Sequence, residues 1–136
     1  SDITTMRKEM AAHKPPKGDL DVKLLPGGLV DMEFIIHALQ LQTHVGIKPQ
    51  LGPAIDALVA AGHLPADFAK AYGLMGRLLV MVRLIAPDCA TPAEAAQTLI
   101  AHSLGYENWD GLMHAIRDYR GVVMDQWHSL FGPRDF

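Results

Sequence analysis

A single cysteine, Cys89, excludes any disulfide within these 136 residues. Packing and polar contacts must therefore hold the fold, and a reducing, cytoplasmic setting is the expectation. No apolar run approaches the roughly 20 residues of a membrane span. The longest, LLVMVRLIAP from Leu78, is interrupted by Arg83 and stopped by Pro87. A basic excess is missing too: 12 Lys and Arg against 15 Asp and Glu leave a formal charge of −3. That balance argues against nucleic acid or an anionic membrane as a partner. There is no signal-peptide pattern, no internal repeat and no low-complexity tract. The glycine-rich phosphate loops, the G-x-S-x-G elbow and the H-E-x-x-H zinc motif do not occur. Ser1-Asp2 opens directly into a helical pattern without an initiator Met, so the expectation is a piece of a longer protein.

What remains is a chain of one-domain length in which 49% of residues are hydrophobic, enough for a core without staples. Its periodicity predicts five or six helices and no confident strand. A first helix, TTMRKEMAAH, starts at an Asp2 or Thr4 cap and carries Met6 and Met10 one turn apart. KPPKGD breaks it, and DVKLL, from Asp21, reads as a short extended segment. Gly27-Gly28 then releases the chain into a helix from about Leu29 to His44. Later helices start at Pro53, at Pro65-Asp67, at Thr91 with a capping box to Glu94, and at Asn108 or Asp110. Gly73 and Gly76, inside the fourth, would fit a close helix crossing. The class is all-α, one helical bundle spanning residues 1–136.

Candidate chemistry is sparse. In the second helix Val30, Phe34, Ala38 and Leu41 make one apolar line, and Met32, Ile35, Ile36 and Leu39 make another. Between them run Glu33, His37, Gln40 and His44 at helical spacing. A metal there would need a third ligand from elsewhere, such as His114, and a solvated polar stripe is the simpler reading; no metal site is expected. Asp19 and Asp21 in GDLD have the spacing of a two-metal carboxylate pair. They lack a sheet to hold them, and turn formation explains them better. Cys89 reads as a small buried thiol, and the Trp109–Trp127 aromatics as core.

The stretch DVKLLPGGLVDMEF, Asp21 to Phe34, is different. It sets Lys23, Asp31 and Glu33 around a glycine pair at a helix start. Free backbone N–H groups there would suit a phosphate or an acidic side chain. The acids also complement the helix dipole, by about 0.3–1 kcal/mol each.

Those residues resemble one family. Met6-Arg7, Met10, His13, Asp21, Lys23, Pro26-Gly27-Gly28-Leu29, Asp31, Glu33-Phe34, the ALQLQ of the second helix and the closing DQWHSLFG are similar to glutamine synthetase adenylyltransferase/adenylyl-removing enzymes. The resemblance implies the C-terminal helical domain of the adenylylating half, within a multidomain nucleotidyltransferase that uses ATP and Mg²⁺. Residues 1–13 would end the helix leading from the catalytic domain. The family's paired catalytic aspartates are not in this stretch, so no catalytic residue is expected here and the piece alone should not transfer AMP. Lys23, Gly27, Gly28, Asp31 and Glu33 would lie at the seam with the catalytic domain, near nucleotide. Expected partners are that domain, glutamine synthetase and the PII signalling protein. Position 37, where the resemblance implies glutamine, is His. The alternatives are a docking or regulatory module for glutamine synthetase or PII, and the helical domain of a PII uridylyltransferase.

Overall fold

The computed structural model describes residues 2–136 and contains six α-helices, with no strand among the described residues. They are α1 (Asp2–His13), α2 (Leu29–Thr43), α3 (Leu51–Ala60), α4 (Ala66–Ile85), α5 (Glu94–Ser103) and α6 (Trp109–Phe131). The all-α bundle read from periodicity is the observed architecture.

Two long helices form its spine. α6 lies along α4 and also meets α2 and α5, while α3 packs on α4 and α2. The core between them is apolar: Met32, Ile35 and Ile36 of α2, Phe68 and Leu78 of α4, and Trp127 of α6 are all fully buried. Each such side chain contributes about 1.5–3 kcal/mol relative to exposure. The helix ends follow local chemistry. Asn108 accepts a hydrogen bond from the Gly111 N–H at 2.8 Å and caps α6. Gly132, at φ 80°, ends α6 just before Pro133.

Some expectations are overturned locally. DVKLL is not extended but a run of turns, because Asp21 organises it. Its carboxylate accepts the N–H of Lys17 at 2.9 Å and of Leu24 at 3.3 Å. Its carbonyl accepts the N–H groups of Leu24 and Leu25. Thr91 does not cap α5, which begins later with Ala93 at its N-cap and no side-chain cap bond. Gln97 instead donates to the Pro92 carbonyl at 3.1 Å. α3 starts before Pro53, which falls in its first turn where its missing N–H leaves no bond unmade. The expected caps Asp2 and Thr4 lie inside α1. Nothing stands within 4 Å of a Cβ built on Gly73 or Gly76, so no helix crosses closely there. Leu41, expected to extend an apolar line, is 73% exposed.

α1 departs furthest from expectation. Met6 is exposed, and the one buried side chain of this helix is Arg7. An arginine, rather than an apolar stripe, faces the body of the protein.

Candidate functional site

Arg7 leads to the centre of the Asp21–Phe34 stretch. Asp31 has no exposure to solvent, and each of its carboxylate oxygens is taken. Oδ1 accepts from Arg7 Nε at 2.6 Å. Oδ2 accepts the Gly27 N–H at 2.7 Å and Arg134 Nη1 at 2.5 Å. One carboxylate thereby ties together α1, the glycine turn, the start of α2 and the tail beyond α6. Arg7 Nη2 adds a bond to the Leu24 carbonyl at 3.2 Å. Arg134 lies over the rings of Phe136 and Trp127, 4.3 and 5.1 Å from their centroids. Burial pushes the Arg134 guanidinium below its ordinary value, while the neighbouring Asp31 charge and hydrogen bond pull the other way.

The glycine pair serves the same junction. Gly27 has φ 75°, and a Cβ there would stand 2.3 Å from the Arg120 carbonyl oxygen of α6. A Cβ on Gly28 would stand 2.2 Å from the Val22 carbonyl oxygen. Any side chain would force backbone apart at both places. Arg120 then reaches back, its Nε donating to the Pro26 carbonyl at 2.8 Å. Burial likewise pushes the Arg120 guanidinium down, against the upward pull of Asp19 and Asp31.

This geometry revises the sequence expectation of a phosphate cradle at the glycine pair. The N–H groups of Gly28, Leu29 and Val30 donate to the carbonyls of Leu25, Val22 and Lys23 at 2.8, 2.8 and 3.0 Å. The Gly27 N–H is held by Asp31. The chain supplies its own acceptors where a ligand was expected, and Asp31 is an interior ion-pair partner rather than a surface complement to the helix dipole.

Among the five expected seam residues, Gly27, Gly28 and Asp31 are therefore buried, whereas Lys23 and Glu33 are exposed. Lys23 stands on a cleft of about 520 Å³ walled by the 14–24 loop and the C-terminal part of α4. Lys14, Lys17 and Arg83 line it as well, as does Cys89. Burial raises the Cys89 thiol above its usual value, with the nearby Asp21 carboxylate adding to the effect.

The other candidates separate. Asp21 lines the lysine cleft, but Asp19 lines a different hollow with Trp109, Arg117 and Arg120, so the GDLD carboxylates do not converge. On α2, Glu33, His37 and His44 face solvent, while Gln40 Nε2 donates to the Gly46 carbonyl at 2.7 Å. His114 pairs with Asp118 on the surface of α6, not with α2. Trp127 is core, as expected, and Trp109 is half-buried.

Sequence reasoning gave Arg7, Lys14, Lys17 and Arg83 no part in a site, and missed Arg134 altogether. For the two lysines a signal was present: they flank the Pro15-Pro16 break, where the chain is forced into a rigid exposed turn. For Arg134 the sequence carries no local signal.

Comparisons with known proteins agree with the motif. The family described as GlnD PII-uridylyltransferase matches residues 3–131. Curated relatives carry another name, "Bifunctional glutamine synthetase adenylyltransferase/adenylyl-removing enzyme". That of Xanthomonas axonopodis pv. citri (strain 306) is 33% identical over 126 residues, covering 84% of this chain and 13% of the relative. That of Stenotrophomonas maltophilia (strain K279a) has the same identity and coverage. That of Caulobacter vibrioides (strain ATCC 19089 / CIP 103742 / CB 15) is 43% identical over 65 residues, 46% of this chain and 7% of the relative. The chain thus spans a small part of the relatives it matches. No solved structure matches it. The family match runs from the first turn of α1 to the last residue of α6, so the chain belongs to the GlnD PII-uridylyltransferase family, and the relatives named above are glutamine synthetase adenylyltransferases/adenylyl-removing enzymes.

Proposed function

We propose that this chain is a helical domain of a larger, cytoplasmic adenylyltransferase/adenylyl-removing enzyme, belonging to its adenylylating half. In that setting it packs beside a nucleotidyltransferase domain of the same protein, which moves AMP from ATP, with Mg²⁺, to a tyrosine of glutamine synthetase. One observation carries the reading: 84% of the chain aligns with relatives of that name while covering only 13% of their length. A larger protein of that kind would contain this bundle as one part.

The geometry supports a division of labour within the expected seam. Asp31, Gly27 and Gly28 act from behind, fixing the turn against α1 and α6. Lys23 and Glu33, exposed on that fixed turn, face the neighbouring domain. Lys23 lies nearest to nucleotide phosphate, and Glu33 contacts protein.

The family's description as a PII-uridylyltransferase favours a second reading, the helical domain of a PII uridylyltransferase. One assay on the full-length protein separates the two. We expect AMP from ATP to be incorporated into glutamine synthetase, and Lys23→Ala to lower the rate at least about tenfold without loss of helical circular dichroism. Labelling of PII by UTP, with no AMP transfer, would replace the first reading by the second. Full AMP transfer by Lys23→Ala would remove Lys23 from the seam.

A further inference from the structure

The hollow lined by Asp19 has no part in the reading above. It holds about 230 Å³ where the 14–24 loop and the loop at Thr91 meet α6. From α6 come Trp109, Met113, Ile116, Arg117 and Arg120, a helical recurrence that places them along one face. Two arginines one turn apart thus stand beside three apolar side chains.

Neither arginine has a counter-charge. No ion pair among the described residues involves Arg117 or Arg120. Arg120 donates its Nε–H to the Pro26 carbonyl, and no other hydrogen bond among the described residues engages its guanidinium. Asp19 lines the same hollow and its charge reaches Arg120, yet the two are not paired. Burial disfavours the Arg120 charge, and the like charge of Arg117 adds to that effect. A half-buried guanidinium therefore faces the hollow without a carboxylate to hold. Two cations against one anion leave a single positive charge in excess.

A planar guanidinium recognises a carboxylate through two parallel N–H groups. One carboxylate matches the excess charge, whereas a phosphate dianion would exceed it beside Asp19. Size selects the source. About 230 Å³ falls below the roughly 300–1,000 Å³ of a small-molecule site, so one acidic side chain and its neighbour fit better than a whole metabolite. Tryptophan and arginine are also the side chains that most often anchor protein contacts.

We propose that this hollow docks a protein segment through an aspartate or glutamate next to an apolar residue. Arg117 and Arg120 hold the carboxylate, the apolar side chain lies against Trp109 and Met113, and Asp19 repels anions of higher charge. Neither a nucleotide nor AMP transfer enters this proposal, so it stands or falls apart from the functional reading above.

The test is a titration of the 136-residue chain with the blocked dipeptide acetyl-Leu-Glu-amide, followed by NMR at the indole N–H groups. We expect saturable shifts at Trp109 but not at buried Trp127, with a Kd of the order of 1 mM. The uncharged acetyl-Leu-Gln-amide should bind at least about tenfold more weakly. Arg117→Gln should weaken binding of the acidic dipeptide about threefold, as for an exposed pair. Arg120→Lys, which keeps the charge and loses the fork, should weaken it about fivefold. Asp19→Asn should strengthen it about twofold by removing a repulsion. Arg83→Gln, outside the hollow, should change nothing.

Equal binding of the two dipeptides, or no Trp109 shift at about 50 mM, would overturn the proposal. So would undiminished binding by Arg117→Gln, whose exposed side chain can be changed without cost to the fold. Tighter binding of inorganic phosphate would overturn the choice of carboxylate. Tighter binding of free leucine, with weaker binding by Asp19→Asn, would overturn the protein source, because Asp19 would then be holding an ammonium group.

Discussion

α1 and α4 are attached to this protein by opposite means. α4 buries Phe68, Ala71, Leu74, Met75, Leu78 and Val82 along one face, and its place follows from apolar area removed from water. α1 buries Arg7 alone, and its place follows from that arginine's bonds to the interior Asp31 and to the Leu24 carbonyl, with an exposed Lys8–Asp135 pair beside them. Apolar attachment is spread over many contacts and tolerates single changes. Attachment by charge is concentrated: Asp31 serves Arg7, Arg134 and the Gly27 N–H at once. The difference shows why a motif can look like a phosphate cradle and yet be structural. A pattern of Pro, Gly and Asp is what a crowded, ion-paired junction requires.

The sharpest way to break the comparison is at Asp31. Asp31→Asn leaves two buried guanidinium groups without a counter-charge, and we expect a loss of about 3–5 kcal/mol in urea unfolding. Next comes the glycine turn. Gly27→Ala combines a φ of 75° with a clash against the Arg120 carbonyl, and should lose about 2–3 kcal/mol. By contrast, α4 should accept improvement. Gly73→Ala and Gly76→Ala meet open space and ordinary helical backbone, so each should gain roughly 0.5–1 kcal/mol in the same measurement.

The smallest effect concerns Cys89. Its folded-state thiol is raised above the ordinary 9.0, first by burial and then by the Asp21 charge. The folded state therefore keeps its proton where the unfolded chain has begun to lose it. That contribution to stability is complete below about pH 9 and declines as pH rises through the folded value. Alkylation of the native chain should correspondingly lag behind that of the urea-unfolded chain up to pH 9, and Asp21→Asn should narrow the gap if the fold survives.

How much of this was legible beforehand follows from distance along the chain. Helices α2, α4 and α6 were readable because their apolar residues recur at three and four positions, a purely local signal. The clasp was not. Arg7 stands 24 positions and Arg134 103 positions from Asp31, and no local pattern announces pairing over such separations. The turns at Asp21–Leu25 fall between these cases. Leucine and valine there favoured an extended reading, yet an aspartate three residues ahead of a free N–H is also a turn signal, and the hydrogen bonds decided. The seam residues divided for the same reason: burial, which separates Asp31 from Lys23, is a property of the assembled bundle.

One paired measurement tests the central claim that the glycine–aspartate turn is a structural clasp carrying an exposed lysine. The urea unfolding free energies of Asp31→Asn and Lys23→Gln would be compared with that of the parent chain. The account predicts a loss of about 3–5 kcal/mol for the first and a change within about 0.5 kcal/mol for the second. Equal, small changes in both would contradict it, because Asp31 would then be no more structural than the lysine beside it.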